Sequence, residues 1–255
     1  MLCGGKGSPM KRVLVSLLIV STLAGASFAV AQTLEEIPFD KRLKLAEVGD
    51  EEAQMAVASA YEQGVKPTKK NIVEAARWYR EAALKGNIEA EFRLARLVSK
   101  GAKGLTKDLP TAAKLYEAAA NSGHLESMNA IGHAYQNGIG VAVSEAKAVE
   151  WYRKAAEGKL AVAQNNLGIL YLNGKGVERN VAEAFKLFEQ AANQGDGWGL
   201  NNLGGMYEMG WGVAKDRTKA ASFYKQAAEK GIESAQANLV RLTPGAAPAA
   251  PVTLN

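Results

Sequence analysis

Cysteine and histidine are nearly absent from this sequence, and their absence removes several kinds of functional site. The chain of 255 residues contains one cysteine, Cys3, and two histidines, His124 and His133. Clusters of cysteine and histidine are the usual protein ligands of zinc, and disulfides need paired cysteines. We therefore expect no metal site and no disulfide, and we expect both histidines to be structural or solvated.

The motifs of common enzyme classes are missing as well. The sequence has no Gly-x-x-x-x-Gly-Lys-Ser/Thr loop for nucleotide phosphates, no His-Glu-x-x-His zinc motif and no Gly-x-Ser-x-Gly nucleophile motif. We therefore predict no catalytic residues and no cofactor, and we expect that the protein is not an enzyme.

A hydrophobic run of about 20 residues, the length that crosses a bilayer, is also lacking. The apolar stretch 13–23 is shorter and follows three basic residues, Lys6, Lys11 and Arg12. A small-x-small sequence at 29–31 comes after it. This order predicts that residues 1–31 are a cleaved signal peptide and that the protein is periplasmic or secreted. An uncleaved membrane anchor is the alternative, and the starting methionine stays open between Met1 and Met10.

The net charge offers little attraction for nucleic acid once the signal peptide is removed. The formal net charge of the whole chain is +5, and residues 1–31 carry three basic and no acidic residues, which leaves +2 for the remainder. No basic stripe is left to follow a phosphate backbone. We therefore expect no nucleic-acid partner, and we expect no membrane span after signal cleavage.

A repeat occupies almost all of the remaining chain. Pairs of alanines recur, and their second members are 37, 36, 36 and 36 residues apart. The pairs are Ala82-Ala83, Ala119-Ala120, Ala155-Ala156, Ala191-Ala192 and Ala227-Ala228. A fixed period of this length is the sequence signature of a repeat solenoid.

Each unit reads as two helices joined by a loop. The first helix is predicted to open at a small residue and to carry apolar residues four and eight positions later, on one helical face. The opening residues are Ala53, Ala90, Ser127, Ala163, Gly199 and Ala235. A glycine ends this helix, and the second helix begins at a residue that can cap it. The predicted caps are Asn71, Asp108, Ser144, Asn180 and Asp216.

This pattern predicts an all-α solenoid at 32–243 with five units and single capping helices at its ends. The units are expected at about 51–86, 87–123, 124–159, 160–195 and 196–231. One further helix is expected at about 38–48 and another at 233–242. The Ala/Pro-rich residues 244–255 are predicted to be a disordered tail. The third unit departs from the pattern, because Gly158 comes one residue early and Lys159 takes its place.

The motifs of the unit resemble those of the Sel1-like repeat family. The fourth unit carries them most fully, with Ala-Gln-Asn-Asn-Leu-Gly at 163–168, tyrosine at 171 and Gly-Lys-Gly-Val at 174–177. The resemblance covers about 45–242. It implies a right-handed α/α superhelix similar to tetratricopeptide repeats, and an adaptor or scaffold that binds partners on its concave face, often in bacterial envelopes. One cysteine-rich branch resembles secreted proteins discussed as β-lactam binders or hydrolases, and this chain lacks the cysteine pairs of that branch.

Two groups of residues are candidates for partner binding. Asparagines recur early in the first helices, and their amides could pair with the backbone of an extended peptide; bonding between repeats is the alternative. The candidates in this group are Asn165, Asn166, Asn201 and Asn202. Trp198 and Trp211 stand beside glycines and outside the repeated aromatic positions, so we expect exposed anchors or a lid over the last repeats. Trp78 and Trp151 are expected in the core.

Three functions fit these observations. The first is a periplasmic or secreted module that binds a protein or peptide on its concave face. The second is an enzyme acting on a cell-wall or β-lactam ligand, for which the sequence offers no nucleophile or acid–base pair. The third is a structural component of an envelope complex that binds peptidoglycan.

Overall fold

A computed structural model describes residues 36–242, which form twelve α-helices and no β-strand within that range. The first helices of the units are α2 (Glu51–Gln63), α4 (Ile88–Lys100), α6 (Leu125–Asn137), α8 (Ala161–Asn173), α10 (Gly197–Met209) and α12 (Glu233–Leu242). The second helices are α1 (Phe39–Glu47), α3 (Ile72–Ala83), α5 (Leu109–Asn121), α7 (Glu145–Glu157), α9 (Val181–Asn193) and α11 (Arg217–Glu229).

The predicted fold class is confirmed. Five helix–turn–helix units follow one another, and the single helices α1 and α12 stand at the two ends. Each helix packs mainly against the helices before and after it in the chain, as expected when a core grows along one axis. The predicted signal peptide, 1–31, and the predicted tail, 244–255, lie outside the described residues.

Each first helix begins two residues earlier than the sequence pattern indicated. In four of the six first helices, a capping residue stands three positions before the small residue. In α2 the carboxylate of Asp50 accepts a hydrogen bond from the backbone N–H of Ala53 at 2.7 Å. The other side-chain caps of this kind are Asn87, His124 and Asp196. The prediction followed the apolar period and overlooked these residues.

The second helices start where the sequence predicted. In α3, for example, Asn71 Oδ1 accepts a hydrogen bond from the backbone N–H of Glu74 at 3.2 Å. The corresponding caps of the other second helices are Asp108, Ser144, Asn180 and Asp216. These bonds satisfy backbone donors that have no partner inside the helix.

Glycines in the first helices set the distance between the two helices of a unit. A Cβ built on Gly168 would lie 2.7 Å from Cε1 of Phe188, which is closer than two carbon atoms can stand. The equivalent pairs are Gly132 with Tyr152 and Gly204 with Tyr224. The aromatic ring therefore lies directly against the backbone of the first helix, and the ring is almost fully buried in each case.

The alanine pairs form the contact between one unit and the next. The first alanine of every pair is fully buried. A Cβ built on Gly199, at the start of α10, would lie 2.7 Å from the Cβ of Ala191 in α9. Small residues on both sides let the second helix of one unit touch the first helix of the next. This agrees with the packing role expected from the period.

The irregular third unit has a steric cause. A Cβ built on Gly158 would lie 2.4 Å from Cδ2 of Leu125, so the leucine side chain fills the space that a larger residue would occupy here. The left-handed position that other units fill with glycine then falls to Lys159, whose φ is +66°. Lysine in this region is strained because its Cβ approaches the following carbonyl oxygen.

We predict that Lys159→Gly stabilises the protein. A residue other than glycine pays roughly 1–2 kcal/mol to adopt the left-handed conformation. Glycine avoids this cost, but its greater freedom in the unfolded chain offsets about 0.5–1 kcal/mol of the gain. The free energy of unfolding, measured by urea denaturation, should rise by roughly 0.5–1 kcal/mol. Gly195→Lys, the reverse change at the equivalent place in the fourth unit, should lower it. A decrease with Lys159→Gly would contradict the steric explanation.

Candidate functional site

The first helices of successive units are linked to one another by side-chain hydrogen bonds. We call the surface formed by α2, α4, α6, α8, α10 and α12 the first-helix face. Its bonds join residues 33 to 37 positions apart, so each crosses from one unit to the next. The predicted asparagine candidates lie on this face.

The asparagines form a ladder across the C-terminal half of the first-helix face. Asn166 donates from Nδ2 to Oδ1 of Asn129 at 3.0 Å, and Asn202 donates to Asn165 at 2.7 Å. Asn238 donates to Asn201 in the same way at 3.2 Å. We call these three bonds the asparagine ladder.

The ladder gives these residues a structural task. Asn165 is only 4% exposed, so its hydrogen bond to Asn202 satisfies a carbonyl that would be costly to bury alone. An asparagine amide carries two N–H donors and one carbonyl, and each bond uses only one of these groups. Partner binding by Asn165, Asn166, Asn201 and Asn202 therefore stays a prediction, next to a role between repeats that the geometry supports.

The last turn of each first helix holds a residue matched to the aromatic of the same unit. Glu62 accepts a hydrogen bond from the Tyr79 hydroxyl at 2.8 Å, and Gln136 accepts one from Tyr152 at 2.9 Å. Glu208 and Tyr224 repeat the arrangement at 2.9 Å. In the fourth unit the two positions hold Leu172 and Phe188, so the hydroxyl is missing where its acceptor is missing. In these four units the buried hydroxyl is present only where an acceptor for it is present.

Two of these carboxylates also bind an arginine of the next first helix. Arg96 donates to Glu62 at 2.6 Å near the N-terminal end of the described chain. Arg241 of α12 donates to Glu208 at 2.7 Å near the other end. Each bridge spans the gap between two successive first helices.

The bridges change the acidity of the groups involved. Hydrogen bonds from Arg241 lower the pKa of Glu208 below its ordinary range; burial acts in the opposite direction, and the Tyr224 hydroxyl lowers the pKa further. Burial also raises the pKa of Glu62, but hydrogen bonds from Tyr79 and Arg96 outweigh it, so this pKa is lowered too. Both carboxylates are therefore ionised in the folded protein near neutral pH.

The first-helix face opens between the second and third units. A cavity of about 420 Å³ lies there, with walls from α4 and α6 and a floor from α5. Ser99 stands where the first unit has Glu62, and Ala130 occupies the position that holds Arg93 in the second unit and asparagine in the later units. Lys107, Asn129 and His133 also line this opening, which we call the unit-2/3 cavity.

A second cavity lies on the opposite side of the solenoid. It measures about 360 Å³ and is formed by α7, α8 and α9. Its polar lining mixes both charges, with Arg153, Lys159 and Lys186 beside Glu157 and Glu183. Arg153 is already bonded to the Tyr171 hydroxyl at 3.2 Å.

The two candidate tryptophans are exposed, and they lie at opposite ends of one helix. Trp198 is 52% exposed and Trp211 is 44% exposed. The predicted opening of this helix at Gly199, which left Trp198 in front of it, is wrong, because α10 begins at Gly197 under the cap of Asp196. The two residues are separated by the length of α10, about 20 Å. They therefore cannot belong to a single anchor, and neither is buried as a lid would require. Trp78 and Trp151 are buried as predicted.

His124 has a structural role that the sequence did not reveal. Its Nδ1 accepts a hydrogen bond from the backbone N–H of Ser127 at 3.2 Å, which caps α6. Its Nε2 lies 3.2 Å from the carboxylate of Glu89, and its ring packs on Phe92. Within the described residues no group of three or more histidine, cysteine or acidic side chains could hold a metal ion.

The residues that line the unit-2/3 cavity are distinctive only in the register of the repeat. Ser99 and Ala130 differ from Glu62 and Arg93, which hold the equivalent places in neighbouring units. The same comparison would have identified the caps at Asp50 and Asp196. No described helix has the length and apolar character needed to cross a membrane.

Comparison with known proteins identifies the repeat. Five consecutive segments match the family model described as Sel1 repeat, at residues 51–87, 88–124, 125–160, 161–196 and 199–232. Among curated proteins, none matches the chain significantly.

Two solved structures resemble the solenoid closely. A protective antigen of uropathogenic Escherichia coli strains, which displays an SLR fold, is 33% identical over 81% of this chain, with a TM-score of 0.75. This chain spans 44% of that antigen's length. A Sel1 repeat protein from Oxalobacter formigenes is 27% identical, with a TM-score of 0.71, and the match covers 79% of this chain and 86% of that protein.

We predict that Glu208→Gln destabilises the protein in a pH-dependent way. Because the fold lowers the pKa of Glu208, its ionised form contributes stability that is fully present above the ordinary carboxyl pKa of 4.5. That stability is lost as the pH falls through the lowered pKa. The difference in unfolding free energy between wild type and Glu208→Gln should therefore be large near about pH 7 and shrink towards about pH 3.

Urea denaturation at several pH values measures this difference. Glu229→Gln, which removes an exposed carboxylate of α11, serves as the matched control and should have little effect at any pH. An equal loss for Glu208→Gln at all pH values would show that the bond to Arg241 contributes nothing through its charge.

Proposed function

The chain belongs to the Sel1 repeat family, whose solenoids are typical protein–protein interaction folds, and we propose that it is a secreted or periplasmic module that binds a protein partner on its first-helix face. The side chains that recur in every unit are engaged in packing and capping. The side chains that differ between units include those of the unit-2/3 cavity and the exposed Trp198.

The observation that carries this proposal is the open cavity on the first-helix face. Arg96 and Arg241 bridge the first-helix face near its ends, and the asparagine ladder bonds it from α6 to α12. The unit-2/3 cavity interrupts this pattern with about 420 Å³ of accessible space, a size typical of ligand sites. Side-chain hydrogen bonds join the first helices of successive units. In a curved stack the inner side is where successive units approach most closely, so we expect the first helices to line the concave side.

Trp198 offers a second contact at the edge of the same face. Val162 holds the equivalent place in the fourth unit and is 38% exposed. The first three units have glutamates there, at positions 52, 89 and 126. The edge thus changes from acidic to apolar along the solenoid, and an exposed tryptophan beside an exposed valine suits a partner's apolar side chain.

The secreted location rests on the sequence of residues 1–31, which lie outside the described residues. The related E. coli protein is a protective antigen, which agrees with a location outside the cytoplasm. The partner class is a protein, because the family's fold is used for protein interactions and no basic stripe favours nucleic acid.

We predict that the mature protein begins at Gln32. Cleavage after the small-x-small sequence at 29–31 removes the apolar stretch and its basic flank. Intact-mass measurement of the protein recovered from the periplasm or medium of its own host should show this N-terminus. Recovery of a chain that still begins at Met1 or Met10 would contradict cleavage and favour an uncleaved membrane anchor.

We predict that the first-helix face and Trp198 capture a partner. The purified protein, immobilised and exposed to an envelope extract of its own host, should retain one protein reproducibly. Trp198→Ala should reduce the recovered amount about tenfold or more, as loss of a buried aromatic anchor does, with an unchanged melting temperature. Trp211→Ala, at the other end of α10, tests whether that end takes part.

Matched variants separate binding from folding. Leu84→Ala removes an exposed apolar side chain that is 77% exposed outside the first helices, and it should leave capture unchanged. Asn166→Ala combined with Asn202→Ala should lower the unfolding free energy by about 1–3 kcal/mol through two lost bonds; lost capture without lost stability would assign these residues to the partner. If Trp198→Ala lowers the melting temperature and spares capture, the tryptophan is structural.

A further inference from the structure

The unit-2/3 cavity exists because two bridging side chains are absent from one junction. Between the first and second units, Glu62 meets Arg96 at 2.6 Å and lies 3.9 Å from Arg93. At the next junction, Ser99 replaces the glutamate, Ala130 replaces Arg93 and His133 stands at the place of Arg96. Ser99 and Ala130 are too short to cross the gap between α4 and α6, and His133 faces a serine where Arg96 faces a carboxylate. The cavity is therefore a property of this chain's own residues at this junction.

The polar groups around the cavity are mainly hydrogen-bond donors. None of the eleven residues that line it is acidic. Lys107 supplies an ammonium group, and His133 is an exposed imidazole. Asn129 accepts the Asn166 amide at its Oδ1; within the described residues its Nδ2 has no hydrogen-bond partner, which leaves two N–H donors. Two hydroxyls complete the lining: that of Ser99 donates to the backbone carbonyl of Arg96 at 2.9 Å, and that of Tyr116 lies beside Ser99.

The floor of the cavity is apolar. Ala112, Ala113 and Leu109 of α5 form it, and Ala134 of α6 continues it. Such a surface accommodates the methylene groups of a side chain whose polar end reaches the donors at the rim. Charged donors bind carboxylates more strongly than neutral acceptors, so an acidic side chain satisfies both parts of the lining.

We propose that the unit-2/3 cavity binds a glutamate or aspartate side chain of an extended segment in the protein partner. The carboxylate accepts hydrogen bonds from Asn129 and His133 and faces the ammonium group of Lys107, while its methylene groups cover the alanines of α5. This proposal rests on the proposed function and names the chemistry that the partner must bring to it.

The second cavity does not offer the same chemistry. Its three basic side chains lie among Glu157 and Glu183, so its charges are balanced within the protein. Arg153 is held by the Tyr171 hydroxyl. A carboxylate entering there would meet existing carboxylates, which weakens its binding.

A pair of short peptides tests the proposal directly. Titration of the isotope-labelled full chain with Ac-Gly-Gly-Glu-Gly-Gly-NH2, followed by NMR, should shift the signals of Lys107, Asn129 and His133 saturably. The glutamine version of the peptide should bind about tenfold more weakly, which corresponds to loss of the charge-assisted bonds. Equal affinity of the two peptides, or shifts confined to other residues, would overturn the proposal.

A double variant closes the cavity with a pair that the protein already uses. Ser99→Glu combined with Ala130→Arg copies the Glu62–Arg93 arrangement into this junction, and the new carboxylate can also accept the Tyr116 hydroxyl. The melting temperature should stay at or above that of wild type, and affinity for the glutamate peptide should fall by tenfold or more. Undiminished affinity in this folded variant would overturn the proposal.

Lys107→Gln provides a second test that does not depend on repacking. It removes the charge at the rim and should lower the affinity for the glutamate peptide by several fold, while the affinity for the glutamine peptide stays unchanged. An equal loss of affinity for both peptides would contradict a carboxylate site. Lys103→Gln, in the same loop, is the matched control. If a partner is captured from extract equally well by wild type and by the double variant, the proposed function holds and this cavity is not its site.

Discussion

The contact between an aromatic ring of the second helix and a glycine or alanine of the first helix is the packing constraint that recurs in every unit. Where a first helix has glycine, the ring of the second helix occupies the volume that a Cβ would need, as Gly168 and Phe188 show. Ala58 and Ala95 take this place in the first two units and are fully buried. The close approach of the two helices within a unit is matched between units, where the alanine pairs let the second helix of one unit touch the first helix of the next.

Much of this fold could be predicted from the sequence, because its contacts repeat at a fixed interval. The period, the glycines that end helices and the caps of the second helices are local signals. The caps of the first helices were missed because Asp50 and Asp196 lie outside the apolar period that defined the helix. The predicted opening at Gly199 left Trp198 outside its helix for the same reason. Glycines flank this tryptophan on both sides, so the cap at Asp196 is the only local sign that the helix has already begun.

The candidate site was harder to predict, because it depends on residues that face each other across units. Asn129 and Asn166 are 37 positions apart, and nothing within one unit shows that their amides meet. The unit-2/3 cavity arises because Ser99 and Ala130 have short side chains, and this becomes clear only by comparison with the long side chains of Glu62 and Arg93 at the equivalent positions. In the fourth unit an apolar Leu172 faces Phe188, whereas in the fifth unit the carboxylate of Glu208 faces the hydroxyl of Tyr224. The two facing residues thus agree in polarity in both units, although the residues differ.

The contact between His124 and Glu89 has a mechanical consequence. It joins α4 and α6 at one edge of the first-helix face, while the middle of the same junction is open. Neighbouring junctions carry arginine bridges or ladder bonds nearer the middle. A solenoid bends most easily where adjoining units are least tied, so we expect its curvature to vary about the His124 edge. The width of the cavity and the arc of the whole molecule would then change together, and an occupant that tightened one would reshape the other.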